Sequence, residues 1–508
     1  MKKVKQFSYL SVIIFVVGST IGAGIFFKNR ELLRMAHGEL AFVLSAWFVS
    51  LIGIIAMGLA IVELFSAQKT NKGTLEWTLL FSPKWFHKAS LNYQKWFFIP
   101  VSLFTMTIYV TSSFVDVGVS LKNGWLVLLF AFLIFLFFMV INLISIKIGE
   151  VAQWITTIVK VVPLFVLPVI AFVFADLELG NTFLQKQIKP EVGITGMSKW
   201  LIIIAGLPAI TFAYDNFYAI SNIKEELSPK AEKKIGMAIV IGLAIITVIY
   251  MLITVAFNYG SNDGTINTIS FLEKPENARL FAFFNSCIAI GILGIINSLA
   301  LSSPYQLRGL YEQGEANEFR FLHKFIYKII LKQEVDVKNR KQTLFVSWIY
   351  LFLSSTLFFI VFGLIAILAY RIDTWDLGQY GTGTYLYSFV DVLTNYSSFL
   401  LFSIITVTIL GALINRKTKK IKTAKKKYFI PTAIVTIVFF FSTFAYIFVV
   451  SVANIFILEG KDQQSSIIKL VILLIILLVS IIPALISVRK ESKLNKNNLK
   501  ENYISTKN

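Results

Sequence analysis

The sequence predicts an all-α integral membrane protein of about twelve transmembrane helices. Three observations lead there. Of the 508 residues, 56% are hydrophobic and only 15% charged, and the mean hydropathy is +0.73; a soluble globular protein carries about 25% charged residues. Apolar runs of about 20 residues, the length that crosses a bilayer, recur near 7–27, 39–64, 96–120, 125–145, 151–175, 199–218, 235–258, 280–303, 343–370, 388–413, 428–457 and 466–488. Two of these runs, the first and the sixth, contain residues that interrupt a helix.

The first run carries Gly18-Ser19-Thr20-Ile21-Gly22-Ala23-Gly24-Ile25-Phe26 at its middle. Each glycine weakens a helix by about 1 kcal/mol relative to alanine. Backbone that leaves the helix at membrane depth is tolerated only inside protein or beside a cavity, so this run reads as part of a binding site. The sixth run pairs Gly206 and Pro208 with a polar Tyr214-Asp215-Asn216 stretch. A carboxylate at mid-span costs about 2.5–3.5 kcal/mol on insertion scales, and Asp and Asn favour local non-helical hydrogen bonds.

The two breaks occupy matching positions if spans one to five (7–175) and six to ten (199–413) are two halves of a repeat. Five spans is an odd number, so the halves must be inverted with respect to the membrane. The repeat rests on span number and break position, not on residue identity between the halves. The predicted fold is thus a five-plus-five inverted repeat with discontinuous helices one and six, followed by two further spans within 428–488. Residues 1–6 form a short arm, 304–342 a long loop, and 489–508 a tail rich in Lys, Asn and Glu that reads as disordered.

About 35 of the 48 Lys and Arg fall on one side of these spans, with clusters at Lys2, Lys3 and Lys5, at Arg416 to Lys427, and at Arg489 to Lys507. The positive-inside bias then places both termini in the cytoplasm. It also makes anionic lipid a partner and accounts for the net charge of +20 without nucleic acid. In the 304–342 loop, Arg320, Lys324, Lys328 and Lys332 alternate with Phe319, Leu322, Phe325, Ile326, Ile329 and Ile330. This pattern is an amphipathic helix, either lying on the inner leaflet or packed beneath the bundle.

The lone Cys287 forms no intramolecular disulfide, and His37, His87 and His323 lie far apart, in segments read as loops. No metal site or other cofactor is expected. An enzyme would need clustered acid, base or metal groups near an interface, and neither these nor a phosphate-cradling glycine loop occurs.

A broken helix offers both poles of a zwitterion. Free N–H groups and the positive dipole end suit a carboxylate, and free carbonyls suit an ammonium. In the first span the N–H groups of Gly22, Ala23 and Gly24 are placed for the carboxylate. The Thr20 carbonyl, with those of Phe212, Ala213 and Asp215, is placed for the ammonium. Asp215 is also a candidate for gating or coupling. Lys160, in Thr157-Ile158-Val159-Lys160-Val161-Val162-Pro163, lies about 13–14 Å along the fifth span. An intramembrane ionisable group is a functional candidate by default; the alternative is a lysine that snorkels to the surface. Burial penalises its charged form, which makes proton exchange feasible. Glu63, Asp116 and Asp391 read as span-end residues in water.

These motifs resemble a known family. The Gly18–Phe26 stretch is similar to the first-span signature of the amino acid–polyamine–organocation (APC) transporters. Phe212-Ala213-Tyr214-Asp215-Asn216-Phe217, with Glu225-Glu226-Leu227-Ser228-Pro229-Lys230, resembles their sixth span and its end. Val62-Glu63-Leu64, Gly294-Ile295-Ile296-Asn297-Ser298 and the Lys160 motif resemble parts of their second, eighth and fifth spans. The resemblance implies secondary uptake of an amino acid across the plasma membrane by alternating access. It implies that Thr20, Gly22, Ala23, Gly24, Phe212, Ala213 and Asp215 hold the substrate, and that Lys160 replaces sodium and links transport to protons. Exchange of two substrates is the nearest alternative. Asn216 stands where the family usually has glycine, and Ala23 where some members have a hydroxyl.

Overall fold

The computed structural model describes residues 8–22, 24–70, 72–116, 124–174, 193–261, 269–312, 314–315, 317–370 and 385–505. Lys2, Lys3, Lys5, Ala23, Lys507 and the side chain of Asp116 lie outside the described residues. Among the described residues the regular structure is entirely helical, as the hydropathy pattern predicts. Among the described residues, ten helices are long and apolar enough to cross a membrane. An eleventh crossing is a pair, the helices Tyr9–Thr20 and Gly24–Met35, with a bend of 54° between them.

The sixth segment is in pieces: helices Ile202–Ala205 and Leu207–Ala213, a turn, and a 3-10 stretch Phe217–Glu226. The interruptions expected at spans one and six are therefore both present. Around them stand the second span (Leu40–Ala67), the third (Lys84–Tyr93 continuing through a π-turn into Ile99–Asp116) and the fifth (Ile146–Val173). The seventh (Ile235–Gly260), eighth (Ala278–Glu312) and tenth (Tyr385–Thr418) complete the surround. The eighth packs on the third and fifth, and the seventh on the second. The eleventh (Phe429–Ile457) and twelfth (Gly460–Ser505) lie outside them.

The surface of the bundle is apolar where it meets lipid: Trp154 is 70% and Phe137 58% exposed. Small residues let the backbones approach. At Gly411, an added Cβ would stand 1.8 Å from the carbonyl oxygen of Phe81, which ends the short helix Thr74–Phe81.

Three expectations change. The tail after Val488 is helical as far as Ser505; no Gly or Pro stands between Ala484 and Ser505 to stop the helix begun in the twelfth span. His87 is on the helix Lys84–Tyr93, and His323 ends the helix Asn317–His323, so neither is in a loop. Glu63 is 1% exposed rather than in water: it accepts from Arg416 at 2.6 Å and from the Lys426 backbone N–H at 3.1 Å, pinning the 414–427 segment.

Of the two placements the sequence allowed, the structure shows the one packed beneath the bundle. Phe319, His323, Ile326 and Tyr327 are buried under the bundle, and Phe319 stacks on Tyr350 at 4.3 Å. Phe321, Phe325, Ile329 and Ile330 stay exposed beside Lys324 and Lys328.

Gly411→Ala is expected to lower stability by about 1–3 kcal/mol, because the Phe81 carbonyl is backbone and cannot rotate away. Thermal unfolding of the purified protein in detergent measures this; an unchanged midpoint would mean the contact is not a close one.

Candidate functional site

Breaking a helix leaves its last carbonyls without N–H partners. In the first span, the helix Tyr9–Thr20 ends just before Gly22, and the Ile21 N–H makes its final bond to the Val17 carbonyl at 3.0 Å. The Lys160 Nζ crosses from the fifth span and donates to the carbonyls of Gly18 at 2.5 Å and Ile21 at 3.0 Å. Lys160 is buried and points inward, so it does not snorkel. Its backbone is held close by glycine in the eighth span: a Cβ at Gly291 would lie 2.8 Å from the Lys160 Cβ.

The sixth span turns at Tyr214–Asn216. Asn216 has φ +78°, the left-handed region that Asn tolerates better than most side chains. Glycine is therefore dispensable here, because Asn supplies the same backbone conformation. The Asn216 N–H donates to the Asp215 carboxylate at 2.7 Å, and the Ser19 hydroxyl reaches the Asn216 carbonyl at 3.5 Å. Asp215 also accepts from the hydroxyls of Tyr218 at 2.5 Å and Ser398 at 2.8 Å.

The expected backbone groups are only partly free. The Phe212 carbonyl accepts the Asp215 N–H at 3.3 Å, and the Ala213 carbonyl accepts the Tyr250 hydroxyl at 2.8 Å. Each carbonyl keeps a second lone pair. The two glycines do different work. A Cβ at Gly24 would sit 2.5 Å from the Ala213 Cα, so Gly24 lets the two broken spans touch backbone to backbone. A Cβ at Gly22 would meet only the end of the Ile295 side chain, at 2.7 Å.

Between the breaks lies a cavity of about 80 Å³. Ser19, Thr20, Gly22 and Gly24 line it from the first span, Phe212, Asp215 and Asn216 from the sixth. Ser102 and Thr105 of the third span, Ile295 of the eighth and Thr394 of the tenth close it. The Thr20 Oγ1 is buried with no hydrogen-bond partner among the described residues. The structure thus brings together Thr20, Gly22, Gly24, Phe212 and Asp215 at one cavity. Lys160 lies outside this cavity, on a separate small void with Ile21, Gly22 and Gly291.

A further charged group was not legible as part of the site. Lys28 falls just past the expected end of the first span, yet the helix Gly24–Met35 carries it inward, fully buried. Its Nζ donates to Asp391 at 2.6 Å, and the Tyr109 hydroxyl donates to the same carboxylate oxygen at 2.6 Å. Lys28 also stands 5.1 Å over the Phe212 ring. Asp391, expected in water, is 31% exposed and open to a larger cavity of about 410 Å³ at that end of the bundle. The residues next to Lys28, Asn29-Arg30-Glu31, are polar, and the one signal was the apolar Leu32, Leu33, Met35 and Ala36 beyond them, around Arg34.

A family model described as "Amino acid permease" matches residues 7–479, nearly the whole chain. The chain belongs to the amino acid permease family. Among its relatives, an uncharacterised protein of Mycoplasma pneumoniae is 30% identical over 504 residues, covering 90% of this chain and 86% of that one. The serine/threonine exchanger SteT of Bacillus subtilis is 26% identical over 63% of this chain and 70% of its own length. The mouse b(0,+)-type amino acid transporter 1 is 26% identical over about half of each chain. A manganese transporter from Eremococcus coleocola has the same fold, with a TM-score of 0.52 at 12% identity, covering 95% of this chain and 96% of that one. The permease is accordingly a multi-pass membrane protein of amino acid transport.

Asn216→Gly is expected to keep the turn and transport, whereas Asn216→Val forces a β-branched residue to positive φ and costs about 1–2 kcal/mol. Thermal unfolding and substrate binding of the two variants check this; equal stability of both would mean the turn does not need the left-handed region.

Proposed function

We propose that the permease takes up a small, uncharged α-amino acid across the plasma membrane with protons, by alternating access, with both termini in the cytoplasm. The observation that carries the coupling is the Lys160 ammonium on the Gly18 and Ile21 carbonyls. A charge-assisted hydrogen bond is about twice as strong as a neutral one. Loss of the proton weakens the tether on the first half-helix, and that half-helix is then free to move.

The cavity supports an uncharged side chain. The oxygens of Asp215 are already bonded to Tyr218, Ser398 and the Asn216 N–H, so a cationic side chain finds no free carboxylate. Lys28 is sealed behind Phe212, so an acidic side chain finds no free cation. The N–H groups at Gly22 and Gly24, with Ala23 between them, take the substrate carboxylate; the Thr20, Phe212, Ala213 and Asp215 carbonyls take its ammonium.

Two closures flank this cavity. On one side Lys28, Asp391 and Tyr109 join the first, third and tenth spans. On the other, Asp215, Tyr218 and Ser398 join the sixth and tenth. Alternating access opens one while the other holds. Removing one partner of a buried ion pair costs about 3–5 kcal/mol, so a closure holds until substrate and proton offset that loss. At the cytoplasmic surface, the Arg320, Lys324, Lys328 and Lys332 row takes anionic headgroups.

One relative bears the name of an exchanger, and exchange is the second reading. Proteoliposomes with labelled amino acids separate the two. Uptake driven by an imposed pH gradient, without internal substrate, is expected; uptake that ignores the gradient and requires internal substrate would establish exchange instead. Lys160→Ala is expected to lower gradient-driven uptake by about tenfold or more, the loss of two hydrogen bonds to a charged group, in a protein that still folds. Undiminished uptake would remove Lys160 from coupling. Gly22→Leu fills the space beside the break and is expected to weaken binding by a similar factor; normal affinity in calorimetry would move the carboxylate site elsewhere.

A further inference from the structure

A second cavity, of about 230 Å³, lies away from the substrate site, between the start of the third span and the tenth, eleventh and twelfth. Its wall includes Phe86, Ala89, Leu400, Val407, Phe444 and Leu477. The few polar side chains on the inner wall are already committed. The hydroxyls of Ser90, Ser403 and Ser480 turn back onto carbonyls of their own helices, those of Phe86, Phe399 and Ile476, at 2.8, 2.9 and 2.7 Å. The Tyr93 hydroxyl donates to the Ser397 carbonyl at 2.5 Å. Nothing on that inner wall is left to hold water or a polar ligand. Apolar cavities of about 150 Å³ stay dry and take up hydrocarbon.

The mouth opens toward the bilayer. Trp85 is 39% and Phe441 38% exposed at its edge, and tryptophan favours the headgroup level of a membrane. One end is basic. Lys84 is exposed next to Trp85, and Arg489 and Lys490 are exposed on the twelfth span. That part of the span is fastened to the third by Lys88, which donates to Ser487 at 2.8 Å and pairs with Glu491.

We propose that this cleft is a binding site for one acyl chain of an anionic phospholipid, whose headgroup rests against Lys84, Arg489 and Lys490. Lipid tails are as apolar as the wall, so simple transfer does not select a lipid. Retention comes from dispersion contacts that an empty cleft would forfeit, and selection from the basic rim. The site joins the third and tenth spans, which both line the substrate cavity, to the two C-terminal spans. The inference does not depend on the coupling ion or on the substrate.

Native mass spectrometry of the full-length protein released from detergent tests it, after equilibration with equal amounts of phosphatidylglycerol and phosphatidylcholine. One tightly held phospholipid is expected, with phosphatidylglycerol preferred by about fivefold, the effect of roughly one basic side chain near a membrane surface. Leu477→Trp and, as a second filling variant, Val407→Phe are expected to lose it, while Ile434→Trp, on the lipid-exposed face of the eleventh span, keeps it. Lys84→Glu keeps the chain and loses the preference. Equal retention of lipid by wild type and both filling variants, with all three monodisperse, would overturn the proposal. So would no preference between the two headgroups, or selective capture of a sterol from a mixture containing one.

Discussion

A bilayer supplies no water to backbone groups left open by a broken helix, so something within the protein must take them. In this permease the Lys160 ammonium takes two, the carbonyls of Gly18 and Ile21. The arrangement works because the eighth span has glycine at 291, where any side chain would push the lysine away. The chain can therefore leave the helix at membrane depth without stranding its carbonyls, and the cavity between spans one and six exists as a result.

The other buried charges obey the same constraint with different partners. Glu63 is closed by Arg416 and a backbone N–H, and Lys28 by Asp391 and two hydroxyls. Asp215 is closed by two hydroxyls and an N–H of its own turn. Each of these groups ties spans that are distant in sequence. A charge unpaired in hydrocarbon is costly, so each group fixes the place of its neighbour as well as its own. Small residues complete the scheme, with Gly24 setting the first span directly against Ala213 of the sixth.

Much of this was legible in the sequence because lipid imposes simple rules. Span existence follows from length and hydropathy, and the breaks follow from Gly, Pro, Asp and Asn in otherwise apolar runs. The depth of Lys160 followed from counting residues. What was not legible depended on partners. Lys28 is followed by Asn29, Arg30 and Glu31, which read as the end of the span, so its burial beside Asp391 could not be read without knowing that the tenth span approaches. Glu63 was placed in water for the same reason, since Arg416 lies far along the chain. The use of the Ala213 carbonyl by Tyr250 was equally hidden, because a tyrosine within an apolar seventh span reads as packing. The tail was misjudged because composition describes a free chain, and this one continues an existing helix.

That tyrosine has a mechanical meaning. Its hydroxyl donates to the Ala213 carbonyl of the sixth span, and its ring lies 5.4 Å from Trp47 and 5.5 Å from Tyr214. If the Ala213 end of the sixth span swivelled alone, it would leave that buried hydroxyl dipole without its partner. The sixth-span break is thereby anchored to the seventh span, so a swing of the one must carry the other with it or give up that bond.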